Sequence, residues 1–178
     1  MEFFEKQIKE STVYEGLIVN VRRDVAEIKN GRHVPREVVE HPGGVAIVPM
    51  TDDGKILMVR QYRYPMEREL LEIPAGKLDI GEDPFDCAVR ELREETGCTA
   101  RQIVFLGETY PSPGFCKETL YLYLALELEH GDMDLDEDEL LSLEPHPIDD
   151  LLAKIMANDL PDAKTIVGIM KAKLYLGL

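Results

Sequence analysis

Most hydrophobic residues before position 144 fall into short runs that are separated by turn-forming residues. Apolar runs of this length are typical of β-strands. Asn30-Gly31 lies between two of them and predicts a hairpin, whereas Asp52-Asp53-Gly54 predicts a turn and Pro74-Ala75-Gly76 a break. The predicted strands are Val13–Val21, Arg36–Glu40, Val45–Pro49, Lys55–Gln61, Leu70–Ile73, Ile103–Thr109, Leu120–Leu128 and Leu140–Leu143.

Three segments show helical features instead. A helix is predicted from Pro84 to Thr96, because Asp83 can cap it, proline suits its first turn and Gly97 suits its end. Towards the C-terminus, the pattern predicts helices over Ile148–Ala157 and Asp162–Leu176. Strands outnumber helices and do not alternate regularly with them. The pattern therefore favours an α+β fold built on a mixed β-sheet sandwich over a doubly wound sheet.

Length and charge restrict the classes of protein that the chain can belong to. Its 178 residues favour one domain with a short extension. The net charge of -15 argues against nucleic-acid and membrane-surface partners, because both are anionic.

The three cysteines are odd in number and widely spaced, which is typical of reduced thiols in the cytosol. No segment approaches the ~20 apolar residues that cross a bilayer, so we expect a cytoplasmic protein.

The helix over Pro84–Thr96 carries acidic residues beside its apolar side. At about 100° per residue, Glu91 and Glu95 lie on one edge of the apolar stripe and Glu94 lies further round. Like charges at this spacing destabilise a helix, unless a divalent cation binds the carboxylates. The alternative is a solvated acidic face whose partners are neighbouring arginines, and the helical wheel leaves both open. The stripe predicted to face the core comprises Phe85, Ala88, Val89 and Leu92.

The spacing of residues 76–98 resembles the Nudix box, Gly-x5-Glu-x7-Arg-Glu-U-x-Glu-Glu-x-Gly-U, in which U is a bulky aliphatic residue. Only the last position departs from the pattern, because Cys98 stands there, and a buried cysteine behaves as a small hydrophobe. The resemblance implies the Nudix fold, a mixed sheet flanked by helices, and hydrolysis of a nucleoside diphosphate linked to another moiety. The matching residues are Gly76, Glu82, Arg90, Glu91, Leu92, Glu94, Glu95 and Gly97.

The resemblance also implies a metal site. It makes Glu91 and Glu95 the principal ligands and Glu94 a third or water-mediated ligand with a catalytic role. The carbonyl of Ala75 is a further implied ligand. The implied ion is Mg²⁺, with Mn²⁺ as a substitute, since both favour carboxylate oxygens.

The remaining box residues are implied to support that site. Arg90 would orient the glutamates through a salt bridge, and Glu82 would support the cluster. Gly76 and Gly97 would serve the backbone geometry.

The flanks of the box resemble those of ADP-ribose pyrophosphatases. In those enzymes the residues that match Arg63 and Glu72 contact the substrate, and Pro113 lies 15 residues past the box, as their proline marker does. Each residue also has a plainer interpretation. Arg63 could be a surface cation at a strand end, Glu72 an edge-strand residue and Pro113 a loop-shaping residue. The resemblance implies hydrolysis of ADP-ribose to AMP and ribose 5-phosphate.

The acidic connection Gly131–Glu139 is the candidate source of a general base. Most acidic loops are simply solvated. In ADP-ribose pyrophosphatases, however, glutamates of the matching loop act as general base or as an extra metal ligand. Glu139 aligns best with them, and Glu137 is the second choice.

The sequence leaves several alternatives open. Other nucleoside diphosphate sugars, dinucleoside polyphosphates and oxidised nucleotides are rival substrates, and a non-catalytic nucleotide-sensing Nudix module is a rival of another class. The intact glutamates argue against the sensing module.

By resemblance, the subfamily forms homodimers. We expect an N-terminal β extension over residues 1–40 for dimerisation and the partner's substrate pocket, and a Nudix hydrolase domain over residues 41–178.

Overall fold

The computed structural model describes residues 3–134 and 140–178. The chain divides into two compact units. The first comprises Met1–Gly43 with Tyr110–Thr119, and the second comprises Gly44–Thr109 with Leu120–Leu178.

The first unit is built on one antiparallel sheet. Its strands are β1 (Lys6–Lys9), β2 (Thr12–Glu15), β3 (Asn20–Glu27) and β4 (His33–Glu40). Strand β3 pairs with β4 and with both β1 and β2. The hairpin predicted at Asn30-Gly31 is confirmed, since it joins β3 to β4 and Gly31 has a φ of 77°.

One predicted strand of this unit is wrong in extent. Val13–Val21 is two strands, because the chain reverses at Gly16, whose N–H donates to the carbonyl of Val19 at 3.1 Å. The apolar run continues through this reversal, so hydrophobicity alone does not reveal it. Strand β1 lies outside all the predicted strands, because its sequence KQIK is mostly polar and every residue in it is exposed.

The second unit contains two sheets. The strands are β5 (Gly44–Pro49), β6 (Lys55–Arg63), β7 (Arg68–Glu72), β8 (Ala75–Lys77), β9 (Cys98–Thr109), β10 (Leu120–His130) and β11 (Leu141–Pro147). The first sheet has the order β8-β5-β10-β9 and the second the order β11-β6-β7. Strands β5 and β10 of the first sheet are parallel, whereas its other pairs are antiparallel, which makes it a mixed sheet.

Helices cover both faces of the mixed sheet. They are α1 (Pro84–Thr96), α2 (Ile148–Met156) and α3 (Ala163–Leu176). Alternate residues of β5 point to opposite sides: Val45 and Ile47 pack with α1, whereas Ala46 and Val48 join the core that contains residues of α2 and α3. This is the predicted α+β arrangement of a mixed sheet between helices. Among the helices of the described residues, none has the length and apolar character that crossing a bilayer requires.

The break predicted at Pro74-Ala75-Gly76 is wrong in part. Ala75–Lys77 forms strand β8, which pairs antiparallel with β5. The reason is tertiary, because the partner strand lies about thirty residues earlier in the chain, beyond the range of local turn signals. The predicted strand Leu140–Leu143 is β11 and extends to Pro147.

Candidate active site

Helix α1 begins and ends where its sequence predicts. The side chain of Asp83 accepts a hydrogen bond from the N–H of Phe85 at 2.8 Å, and Gly97 ends the helix with a φ of 69°. The predicted core-facing stripe is only half right, because Phe85 and Val89 are 46% and 39% exposed. The buried residues are Cys87, Ala88, Glu91, Leu92, Glu95 and Thr96.

Glu95 therefore lies near the middle of the buried side of α1, not at its edge. At about 100° per residue, it is flanked by Glu91 on one side and by Ala88 and Leu92 on the other. Glu91 is 6% exposed and Glu95 is 2% exposed. Burying two carboxylates is costly unless charged or hydrogen-bonding partners stabilise them. This burial favours a functional role for the acidic face over a solvated one.

Arg90 is shared by three carboxylates. Its Nε donates to Glu82 at 2.9 Å, and its Nη1 donates to Glu91 at 2.7 Å and to Glu94 at 2.9 Å. A further contact reaches the carbonyl of Lys77 at 3.3 Å. Because one guanidinium carries one positive charge, this cluster keeps an excess of negative charge.

The contacts of Arg90 also determine how the cluster titrates. Hydrogen bonds from Arg90 hold the pKa of Glu82 at about 2, below its ordinary value of 4.5, against the opposing effect of burial. The same hydrogen bonds raise the pKa of Arg90. Burial raises the pKa of the Cys87 thiol to about 12, so this neighbour of Arg90 stays protonated and is a poor nucleophile.

Strand β8, where the box begins, lies directly against the two buried glutamates. The N–H of Ala75 donates to Glu95 at 2.9 Å. A Cβ atom added to Gly76 would lie 1.8 Å from Oε1 of Glu91. Only glycine leaves room for the carboxylate at this point, which explains why the motif needs it.

A second charged network lies at the ends of β6 and β7. Arg63 donates two hydrogen bonds to Glu72, at 2.8 and 2.6 Å, and Lys164 of α3 donates to the same carboxylate. Glu72 is 1% exposed. Burial raises the pKa of Glu72, but the contacts with Arg63 and Lys164 together outweigh it and lower the pKa. The hydrogen bonds to Glu72 are the main reason that the pKa of Arg63 is raised, and the charge of Glu95 adds to their effect, so the two networks interact.

A cleft of about 480 Å³ opens beside this second network. Its apolar lining includes Met66 and Pro161, and its charged lining comprises three cations and two acids: Arg63, Arg68, Lys164, Glu72 and Asp162. The cations outnumber the acids, and with the apolar groups they suit a ligand that carries both phosphate and a less polar moiety.

The structure brings most of the predicted site residues together, with two groups of exceptions. The box residues, Ala75, Arg63 and Glu72 all lie in the second unit. Pro113 is an exposed residue of a turn in the first unit. Glu137 and Glu139, the predicted general bases, lie outside the described residues.

Lys164 and Asp162 were not among the predicted site residues. Lys164 donates to Asp162 at 3.0 Å as well as to Glu72. Asp162 also caps α3 through Thr165, whereas the sequence pattern places it inside the predicted helix Asp162–Leu176. No sequence signal links residue 164 to residue 72, because they are 92 positions apart.

The donor atoms of the cluster fit a hard divalent cation. Carboxylate oxygens come from Glu91, Glu94 and Glu95. The backbone of Ala75 is close to this group, because its N–H donates to Glu95, and its carbonyl is a further oxygen donor. Arg90 forms ion pairs with three of the neighbouring carboxylates, those of Glu82, Glu91 and Glu94. Within residues 3–134 and 140–178, no three His, Cys, Asp or Glu side chains are already arranged to hold a metal. Arg90 instead engages Glu91 and Glu94.

Comparisons with known proteins identify the family of the chain. The family model described as the NUDIX domain matches residues 40–166. An ADP-ribose pyrophosphatase of Bacillus subtilis (strain 168) is 41% identical over 172 residues, covering 96% of this chain and 93% of that protein. A methanol dehydrogenase activator of Bacillus methanolicus is 41% identical over 178 residues, covering 99% and 96%.

A solved structure supports the fold independently. The crystal structure of an ADP compounds hydrolase superimposes with a TM-score of 0.86 at 24% identity, covering 97% of this chain and 94% of the other. At this identity the likeness bears on the fold alone, and it agrees with the predicted Nudix fold.

Proposed function

The chain belongs to the NUDIX domain family, and we propose that it hydrolyses the diphosphate bond of ADP-ribose to AMP and ribose 5-phosphate. The observation that carries the proposal is the pair of buried carboxylates, Glu91 and Glu95, held against strand β8 at Ala75 and Gly76. The full-length similarity to an ADP-ribose pyrophosphatase supports the choice of substrate.

Nudix ADP-ribose pyrophosphatases depend in general on divalent metals, and for this chain we propose Mg²⁺, with Mn²⁺ as a substitute. A bound cation would neutralise the diphosphate and activate water. Glu91 and Glu95 would hold it, with Glu94 and the carbonyl of Ala75 as further ligands. Arg90 would keep the glutamates oriented, and Glu82 would anchor Arg90 through its two hydrogen bonds.

Substrate recognition is proposed to lie at the second charged network. The side chain of Arg63 remains 37% exposed beside the cleft, and its guanidinium suits a phosphate oxygen. Glu72 is proposed to act at the same subsite. Pro113 stays a predicted substrate-side residue, and either Glu139 or Glu137 stays the predicted general base.

Three further expectations belong to this proposal. We expect a homodimer, a cytoplasmic location, and an N-terminal extension over residues 1–40 that serves the partner's pocket beside a hydrolase domain over residues 41–178. Sedimentation of the full chain would test the dimer, because a monomer would have half the expected mass.

A substrate panel tests the proposed function. The chain is incubated with ADP-ribose, ADP-glucose, GDP-mannose and a dinucleoside polyphosphate, and kcat/KM is measured for each with Mg²⁺ present. We expect the highest kcat/KM for ADP-ribose, with AMP as a product. A higher value for another nucleotide would reassign the substrate. A nucleotide that binds without being cleaved would point to the sensing module instead.

The relative named as a methanol dehydrogenase activator supports a second candidate function. Because it is as similar to this chain as the pyrophosphatase is, an effect on a partner dehydrogenase is a candidate beside hydrolysis. Adding the chain to a methanol dehydrogenase would test it, with the hydrolysis-deficient variant Glu95→Gln as control. Unchanged dehydrogenase rates would exclude this second function for the dehydrogenase tested.

A further inference from the structure

The first turn of α3 is fastened to the end of strand β7. The N–H of Ile73 donates to Oγ1 of Thr165 at 2.9 Å, and Thr165 is fully buried. Asp162 accepts hydrogen bonds from the N–H and hydroxyl of Thr165 at 3.0 and 2.6 Å. A Cβ atom at Gly168 would lie 2.7 Å from Cδ1 of Ile73. Helix α3 and the backbone after Glu72 therefore form one rigid junction.

Lys164 extends this junction to the charged network. Its ammonium contacts Oε2 of Glu72 and lies 3.0 Å from Asp162, and its side chain is only 12% exposed. An ammonium that is buried between two carboxylates is held by both. It therefore has little freedom to turn towards a ligand.

The carboxylate of Glu72 is almost fully occupied. Its Oε1 accepts from Nε of Arg63 at 2.8 Å, and its Oε2 accepts from Nη2 of Arg63 at 2.6 Å and from Lys164. These contacts use three of its roughly four lone-pair positions, and the residue is 1% exposed. Arg63 is thus the member of the trio with the largest exposed fraction.

We infer that Lys164 is a positioning residue for substrate binding, which acts by holding Glu72 so that Glu72 holds the guanidinium of Arg63. The inference rests on the proposed function, in which Arg63 contacts a phosphate of the substrate. It gives Glu72 a positioning role at that subsite. Removing the ammonium would leave Glu72 with one cationic partner and Arg63 with a less rigid anchor.

A double-mutant cycle tests this inference on the full chain. KM and kcat for ADP-ribose are measured for wild type, Lys164→Met, Arg63→Ala and the double variant. Because a hydrogen bond to a charged group is strong, we expect Lys164→Met to raise KM about tenfold. We expect kcat to stay within about twofold of wild type, since the lost interaction stabilises the bound substrate and the transition state equally. In the Arg63→Ala background, Lys164→Met should change KM by less than about twofold, because the coupling runs through Arg63.

Two further variants separate positioning from general destabilisation. Lys164→Arg keeps the positive charge and should restore KM to within about threefold of wild type, since Arg can also bind a carboxylate. Lys173→Met removes a cation of the same helix that pairs with the exposed Asp149, and it should leave KM unchanged. Thermal unfolding is recorded for every variant, and Lys164→Gln replaces Lys164→Met if the latter does not fold.

The outcomes distinguish this inference from the proposed function. If wild type does not hydrolyse ADP-ribose, the proposed function fails and the inference fails with it. If wild type is active and Lys164→Met leaves KM unchanged, only the inference is overturned. Equal KM increases in the presence and absence of Arg63 would likewise overturn it, because they would show that Lys164 acts on the substrate independently.

Discussion

Gly76 is required by a neighbouring side chain, not by its own backbone angle. Its φ is not positive, yet a Cβ atom added to it would lie 1.8 Å from Oε1 and 2.0 Å from the carboxyl carbon of Glu91. The glutamate is buried and bonded to Arg90, so it cannot move aside freely. Residue 76 and residue 91 are therefore constrained together.

Gly76→Ala is expected to lower both stability and turnover. Overpacking of this kind costs about 1–3 kcal/mol, and displacement of Glu91 should also reduce kcat. Urea denaturation and kcat with saturating Mg²⁺ measure the two effects. Gly114→Ala is the control, because nothing lies within 4 Å of a Cβ at that position. Wild-type turnover in Gly76→Ala would contradict the placement of Glu91.

Substitution of Glu95 should lower catalysis with little effect on folding. It is 2% exposed, and a glutamine there can still accept the hydrogen bond from Ala75. We expect Glu95→Gln to lower kcat/KM by about a hundredfold or more, since even outer partners of a metal site are worth ~10–100-fold. The melting temperature should change little. Turnover near wild type with saturating Mg²⁺ would remove Glu95 from the metal site.

At the scale of elements, the loop before α1 and the helix itself are joined by ion pairs. Glu82 accepts two hydrogen bonds from Arg90, at 2.9 and 3.1 Å, and one from the N–H of Asp79 at 2.9 Å. The same arginine reaches Glu91 and Glu94 on the helix. The side chain of Arg90 therefore links the loop to helix α1.

The pKa of Glu82 makes this connection sensitive to acid. Its folded-state pKa of about 2 lies below the ordinary 4.5, so its contribution is fully present above about pH 4.5 and is lost as the pH falls towards 2. We expect Glu82→Gln to be less stable than wild type at neutral pH. The difference in free energy of unfolding between wild type and Glu82→Gln should become smaller as the pH falls from about 4.5 towards 2.

Urea denaturation at several pH values measures this difference. Asp159→Asn is the matched control, because Asp159 is an exposed acid outside the cluster, and it should stay within about 0.5 kcal/mol of wild type. A Glu82→Gln deficit that widens as the pH falls would have the wrong sign for an ion pair with Arg90.

At the scale of the whole molecule, metal binding and folding should be linked. A ligand that binds only the folded state at 100 times its dissociation constant adds about 2.7 kcal/mol of stability. For a chain of this size we expect Mg²⁺ to raise the melting temperature by about 5–10 °C. A chelating agent should reverse the rise.

The double variant Glu91→Gln/Glu95→Gln is the comparison for this experiment. It should unfold at a temperature that does not depend on Mg²⁺, because both buried ligands have lost their charge. An equal rise in both proteins would place the metal elsewhere. Thermal unfolding needs no substrate, so the result does not depend on which nucleotide is cleaved.

Local patterns were sufficient for the elements whose causes are local. Helix α1 has the predicted bounds because Asp83, Pro84 and Gly97 act on their immediate neighbours. The Asn30-Gly31 hairpin forms for the same reason. Strand β8 was missed because its partner β5 lies far back in the chain, and β1 was missed because an exposed strand carries no apolar signal.

The acidic segment shows most clearly where the sequence and the tertiary structure each contribute. Its residue spacing determined the family resemblance, which in turn implied the metal chemistry, and its capping residues determined the position of the helix, since both depend on neighbours within one short segment. Only the tertiary structure decided which side of α1 is buried, because that depends on the sheet against which it packs. It also decided that Glu95 lies inside that side and that Lys164 meets Glu72, a contact across 92 positions of chain that no local pattern specifies.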